Sequence, residues 1–92
     1  MIKSFKDKEA QKIFDGLPSK KFGGLQKVIK RKLDMLHYAY NEQDLTTPPA
    51  NRFEHLKGSL KDYCSIRVND QFRIIFKFVN NGIYDVQIID YH

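Results

Sequence analysis

The sequence predicts an α+β fold, with two N-terminal helices packed on one face of a small, mainly antiparallel β-sheet. Three observations predict it. Apolar residues recur at helical spacing through residues 22–40. After Arg52 the spacing changes to alternation, the period of a strand. Two turn signals, Asn69-Asp70 and Asn81-Gly82, divide the alternating half into consecutive strands, and tight turns join strands antiparallel. With 92 residues the chain has material for one core, so residues 1–92 are expected to form a single domain.

Each element follows in order. Met1 to Phe5 is a short edge-strand candidate. Lys8 to Asp15 reads as a helix with Ala10, Ile13, Phe14 and Leu17 at three-to-four spacing, stopped by Gly16 and Pro18. In the next segment Phe22, Leu25, Ile29, Leu33, Leu36 and Tyr40 project within about 80° of one another at helical pitch. Lys20, Lys27, Lys30 and Arg31 project on the opposite side, and Ser19 or Gly23 is placed to cap the start. Residues 41–51, with Pro48-Pro49, read as a loop. The strands are expected over Arg52–Lys57, Tyr63–Val68, Phe72–Val79 and Ile83–Tyr91.

Alternation sorts the strands into two faces. Cys64, Ile66, Val68, Phe72, Ile74, Phe76, Phe78, Tyr84, Val86 and Ile88 form the floor for the helices. Tyr63, Ser65, Arg67, Arg73, Ile75, Lys77, Asp85, Gln87, Ile89 and Tyr91 form the outer face, which reads as solvated, so substitutions there are expected to disturb stability little. His37 reads as a surface residue. His55 reads as structural or as an aid to positioning RNA.

Composition narrows the function. Hydrophobic residues at 41% and charged residues at 29% specify an ordinary folded globule, and no apolar run is long enough for a membrane span. The first residues are too polar for a signal peptide, and a lone cysteine, Cys64, suits a reducing cytoplasm. Three scattered histidines and one cysteine show no metal-ligand spacing, so neither a metal nor a cofactor is expected. The net charge of +5 points to a polyanionic partner. It lies in two blocks. Lys20, Lys21, Lys27, Lys30, Arg31 and Lys32 occur with no intervening acid, and a second basic block spans the strands from Arg52 to Lys77.

A sheet face carrying Arg67, Arg73, Lys77 and tyrosines offers cations for phosphates and rings for unpaired bases, the pairing single-stranded RNA demands. The terminal Asp90-Tyr91-His92 adds three groups able to move protons. RNA carries its own nucleophile, the 2′-hydroxyl, so cleavage needs a base, an acid and cations for the phosphorane charge. Arg73, Arg67 and Lys57 are candidate cations. Glu54, Asp90, Tyr91 and His92 are candidate proton carriers.

The runs Arg52-Phe53-Glu54-His55-Leu56-Lys57-Gly58, Ser65-Ile66-Arg67-Val68-Asn69-Asp70-Gln71-Phe72-Arg73 and Asp90-Tyr91-His92 resemble the HigB-type killer toxins of the RelE superfamily. The resemblance extends over nearly the whole chain. It implies a toxin of a type II toxin–antitoxin system that cuts mRNA in the ribosomal decoding site. It also implies neutralisation by a HigA-type helix-turn-helix antitoxin, which in turn contacts operator DNA. By the family pattern Arg73 holds the scissile phosphate, Asp90, Tyr91 and His92 carry or support proton transfer, and Lys57 and Arg67 bind RNA. Some members have a catalytic histidine where this chain has Glu54, which leaves Glu54, His55 and His92 as alternatives for the general base. Lys27, Lys30 and Arg31 would face ribosomal RNA. A binding module that does not cleave, or a co-repressor bound to its antitoxin, are the competing readings.

Overall fold

The computed structural model describes residues 1–90. Helix α1 (Lys8–Phe14) begins where Asp7 turns its carboxylate back on the chain. Oδ1 of Asp7 accepts the amides of Glu9 (2.9 Å) and Ala10 (3.4 Å), while Oδ2 accepts the amide of Ile88 at 3.1 Å. One side chain thus caps the helix and ties it to the sheet. The helix stops before Leu17, which is exposed rather than part of the apolar stripe.

Helix α2 (Gln26–Tyr38) follows a 3₁₀ turn over Gly23–Leu25. Ser19 is the N-terminal anchor, its hydroxyl accepting the Phe22 amide at 3.3 Å and donating to Glu9 at 3.0 Å. Ile29, Leu33 and Leu36 are fully buried. The stripe ends earlier than its period suggests. Ala39 turns extended and Tyr40 is exposed, because the helix ends at Tyr38, two residues before the sixth apolar position. Two other expectations on α2 are corrected. Lys32 is buried, its ammonium donating to Asn51 Oδ1 at 2.5 Å, and so is absent from the basic surface. His37 is half-buried, its Nδ1 accepting the Ile2 amide at 3.2 Å and its ring 5.1 Å from that of Phe14.

The segment expected to be a loop contains helix α3 (Glu42–Thr46) and a 3₁₀ turn, Pro49–Asn51. A capping box nucleates α3: Asn41 Oδ1 accepts the Asp44 amide, and Asp44 accepts the Asn41 amide in return. Leu45 then enters the core.

Four strands form one sheet in the order β1 (Glu54–His55), β2 (Cys64–Arg67), β3 (Phe72–Val79) and β4 (Gly82–Asp90), each antiparallel to its neighbour. Residues 1–5 run beside β4 in the parallel sense, bridging Ile2 to Ile83 and Phe5 to Val86. β1 is shorter than expected, because Arg52 takes a left-handed conformation (φ 45°) that delays entry into the sheet. The β3–β4 hairpin turns on Asn80 and Asn81, both at positive φ, with Val79 opposite Gly82; the turn lies one residue before the Asn-Gly pair.

β4 also carries a bulge. Ile75 pairs with Gln87 and Lys77 with Tyr84, so Asp85 and Val86 together face Phe76. Asp85 adopts φ 55°, and its amide donates to Ser4 Oγ at 2.8 Å. The extra residue puts Ile83 in the core and Tyr84 on the outer face, the reverse of simple alternation. The helix-side core joins Ile29, Leu33 and Leu36 to Ile66, Ile74, Phe76 and Val86. A second, smaller cluster sits on the outer face. Ile75 and Tyr63 are buried there with Leu56, flanked by Leu60 and Ile89. Part of the face expected to be solvated is therefore covered, by the connection from β1 to β2.

Candidate active site

Register decides which candidates meet. Arg67 and Arg73 are direct partners across β2 and β3, and Glu54 is opposite Ser65 across β1 and β2. All four side chains belong to the outer face, beside the small apolar cluster. Arg73 is buried. Its Nε donates to Ser65 Oγ at 2.8 Å, and Nη2 donates to the Arg52 carbonyl at 2.5 Å. The carboxylate of Glu54 is 3.9 Å from the same Nη2. The left-handed bend at Arg52 thus supplies a fixed acceptor for the arginine. Removing Arg73 would strip the partner from Ser65 and from that carbonyl. Substitution here is not neutral to stability, contrary to expectation from a polar face.

Two arginines directly opposite one another repel. One is partly relieved, since Arg67 pairs with Asp70, itself fully exposed. Arg73 donates to two neutral oxygens and has Glu54 nearby. Such a pair favours an anion placed between or above the two guanidinium groups. Next to it, a groove of about 330 Å³ is lined by Glu54, His55, Leu56, Lys57 and Leu60, and Lys57 is exposed at its rim.

Other candidates are placed elsewhere. Asp90 is opposite Phe72, on the helix side of the last rung, and accepts from Gln71 Nε2 at 3.1 Å. It does not share a face with Arg73. Tyr91 and His92 lie outside the described residues. Tyr63, one of the rings expected to stack on bases, is buried under Lys77, whose ammonium is 5.2 Å from the ring centroid. Lys77 also pairs with Asp85 at 3.4 Å. On α2, Lys27 and Arg31 are exposed, whereas Lys30 pairs with Asp34 at 2.7 Å and lies 4.8 Å from the Phe14 ring centroid.

Sequence reasoning missed the roles of Ser65 and the Arg52 carbonyl. Ser65 lies on β2 two residues from Arg67, so alternation already put it on the face of the two arginines; the bend at Arg52 has no sequence signal. His55 faces the helix side, where its Nε2 contacts Glu42 at 2.9 Å and its Nδ1 contacts Cys64 Sγ at 3.4 Å. Burial, then the nearby Glu42 charge, pushes the Cys64 thiol up to about 11. Among the described residues no helix is long and apolar enough to cross a membrane.

Comparison with known proteins agrees with this architecture. A family model for the RelE-like toxin of the type II toxin–antitoxin system HigB matches residues 3–92. Toxin HigB-1 of Vibrio cholerae is 43% identical, over 87% of this chain and 86% of that protein. An uncharacterized protein of Haemophilus influenzae is 44% identical, over 70% of this chain and 63% of that one. A chain of the heterotetrameric YoeB–YefM toxin–antitoxin complex of Staphylococcus aureus shares the fold, with a TM-score of 0.60 at 23% identity, covering 100% of this chain and 95% of that chain. On the strength of the family match and the Vibrio relative, the chain belongs to the HigB-like toxins, the RelE-like toxins of type II toxin–antitoxin systems.

Proposed function

We propose that the toxin is a ribosome-dependent endoribonuclease that cuts mRNA by attack of the RNA's own 2′-hydroxyl. The observation that carries the reading is the opposed Arg67–Arg73 pair with Glu54 beside it. A base takes the 2′-hydroxyl proton, the freed oxygen attacks the adjacent phosphorus, and the bond from phosphorus to the 5′-oxygen breaks. An acid then protonates that leaving oxygen. A 2′,3′-cyclic phosphate and a 5′-hydroxyl result, with no metal required by the balance. Arg73 carries the charge building on the phosphorane, with Arg67 flanking it and Lys57 holding the neighbouring backbone. Glu54, with its carboxylate 3.9 Å from Arg73, is a proton carrier beside that arginine. His92 and Tyr91 complete proton transfer on the family pattern, and Asp90 supports that terminus from the helix side.

Exposed Lys27 and Arg31, with Lys30 beside them, suit a contact with ribosomal RNA. The partner for neutralisation is a HigA-type helix-turn-helix antitoxin, through which the pair would reach operator DNA. The solved relative from S. aureus is itself a toxin–antitoxin complex, which supports an antitoxin partner. The site lies within a cytoplasmic protein on this reading.

Primer extension on mRNA after induction tests it. The wild-type chain should create discrete new 5′ ends inside codons. Arg73→Ala and deletion of His92 should each reduce them by at least ~100-fold, the scale of a lost transition-state charge contact. Stalled translation with intact mRNA would instead identify a binding module, and growth arrest surviving both changes would remove these residues from the mechanism.

A further inference from the structure

The helix side of β1 carries a second cluster that the RNA site does not use. Glu42 on α3, His55 on β1 and Cys64 on β2 come from three separate elements, and one ligand atom from each lies within 4.8 Å of the others. No spacing along the chain announces it. A nucleophilic thiol relay is the first alternative. It fails on environment, because Cys64 is 3% exposed and burial holds it as the neutral thiol.

We propose that Glu42, His55 and Cys64 form a zinc-binding site on the face of the sheet opposite the arginine pair. Cys64 Sγ and His55 Nδ1 stand 3.4 Å apart. Two ligands sharing one tetrahedral zinc, at bond lengths of about 2.3 Å for sulfur and 2.0 Å for nitrogen, are separated by roughly 3.5 Å. The pair is therefore already at coordination spacing. Glu42 is exposed and contacts the imidazole Nε2 at 2.9 Å; rotation about its side chain would bring a carboxylate oxygen to the third position. Water takes the fourth position. Thiolate and imidazole together favour zinc over magnesium or calcium. On binding, the Sγ–H bond breaks, its proton passes to water, and the sulfur lone pair enters the metal bond. Thiol burial, which opposes ionisation in the absence of metal, is overcome by the metal charge.

The proposal does not depend on RNA cleavage, and its test reads metal directly. The untagged full-length chain is titrated with Zn²⁺ against a chromophoric chelator, and with Co²⁺ followed by absorption. One Zn²⁺ per chain is expected, and the Co²⁺ form should show a thiolate-to-cobalt charge-transfer band. Cys64→Ser should abolish the band and weaken Zn²⁺ at least ~100-fold, beyond the roughly 10–100-fold of a lost outer-shell partner. His55→Gln, at an exposed side chain, should do the same should the serine variant fold poorly. Glu42→Gln should weaken binding about 10-fold. A wild-type chain that binds Zn²⁺ no more tightly than His55→Gln, or a Co²⁺ form without the sulfur band, overturns the site.

Discussion

On the helix side of the sheet, Ile66, Ile74, Phe76 and Val86 lie side by side under α2, and all four are fully buried. One residue along the same strands, the outer face mixes Ile75 and Tyr63 with Ser65 and Arg73. The inner face is apolar throughout the centre and is covered by helices, so its energy comes from packing and its pattern is redundant. The outer face divides its length. A few apolar side chains cover one part, and beside them a buried arginine donates to a hydroxyl and to a backbone carbonyl. What the contrast teaches is that packing sets the inner face, whereas on the outer face a small apolar cluster shares the sheet with a buried guanidinium whose position is fixed by hydrogen bonds to the strands around it.

The contrast can be broken by truncation. Phe76→Ala on the inner face should cost ~3–5 kcal/mol, and Ile75→Ala, its neighbour on the outer face, about 2–3 kcal/mol. Chemical denaturation measures both. Equal losses would mean that the outer cluster is a second core and not a cover.

A subtler test uses the thiol on the inner face. Cys64 is pushed from its ordinary 9.0 up to about 11, so the folded chain holds that proton more tightly than the unfolded chain does. Its stabilisation is complete below pH about 9 and disappears as pH climbs through about 11. The wild type should lose on the order of 2 kcal/mol relative to Cys64→Ser across that window, read by denaturation at fixed pH values. Parallel curves for the two proteins would refute the burial of the thiol.

The smallest effect on folding is expected on the outer side of α2. Lys27→Glu with Arg31→Glu should shift stability by no more than about 0.5 kcal/mol. Ribosome affinity should fall about 10-fold at low salt, and the two proteins should converge as salt rises. An affinity unchanged at low salt would leave the helical basic block as a solvated face.

Periodicity made much of this legible. Phe72–Val79 is a strand over the range its alternation indicates, and Ile29, Leu33 and Leu36 occupy the core as their spacing requires. The misses have physical causes. Alternation assigns a side chain to a face but does not say what covers that face, so Ile75 and Tyr63 read as solvated. A bulge at Asp85 reverses the phase of β4 without altering composition. Two prolines concealed α3, although Asn41 and Asp44 supplied a capping box three residues apart. Alternation put Arg67 and Arg73 on one face, but a two-residue turn at Asn69-Asp70 would set Arg67 opposite Phe72; the longer connection sets it opposite Arg73. The hydrogen bonds that bury Arg73, and the meeting of Glu42, His55 and Cys64, depend on tertiary placement that no local pattern encodes.

The decisive measurement is single-turnover cleavage of mRNA on programmed ribosomes by Arg73→Lys, with thermal unfolding recorded on the same preparation. Lysine keeps the charge and loses the planar fork that bonds Ser65 and the Arg52 carbonyl and that the proposed mechanism needs for the phosphate. Cleavage at least ~100-fold slower, in a protein that remains folded at the assay temperature, is the predicted result. A cleavage rate within a few-fold of wild type would contradict the assignment of the outer-face arginine to the reacting phosphate.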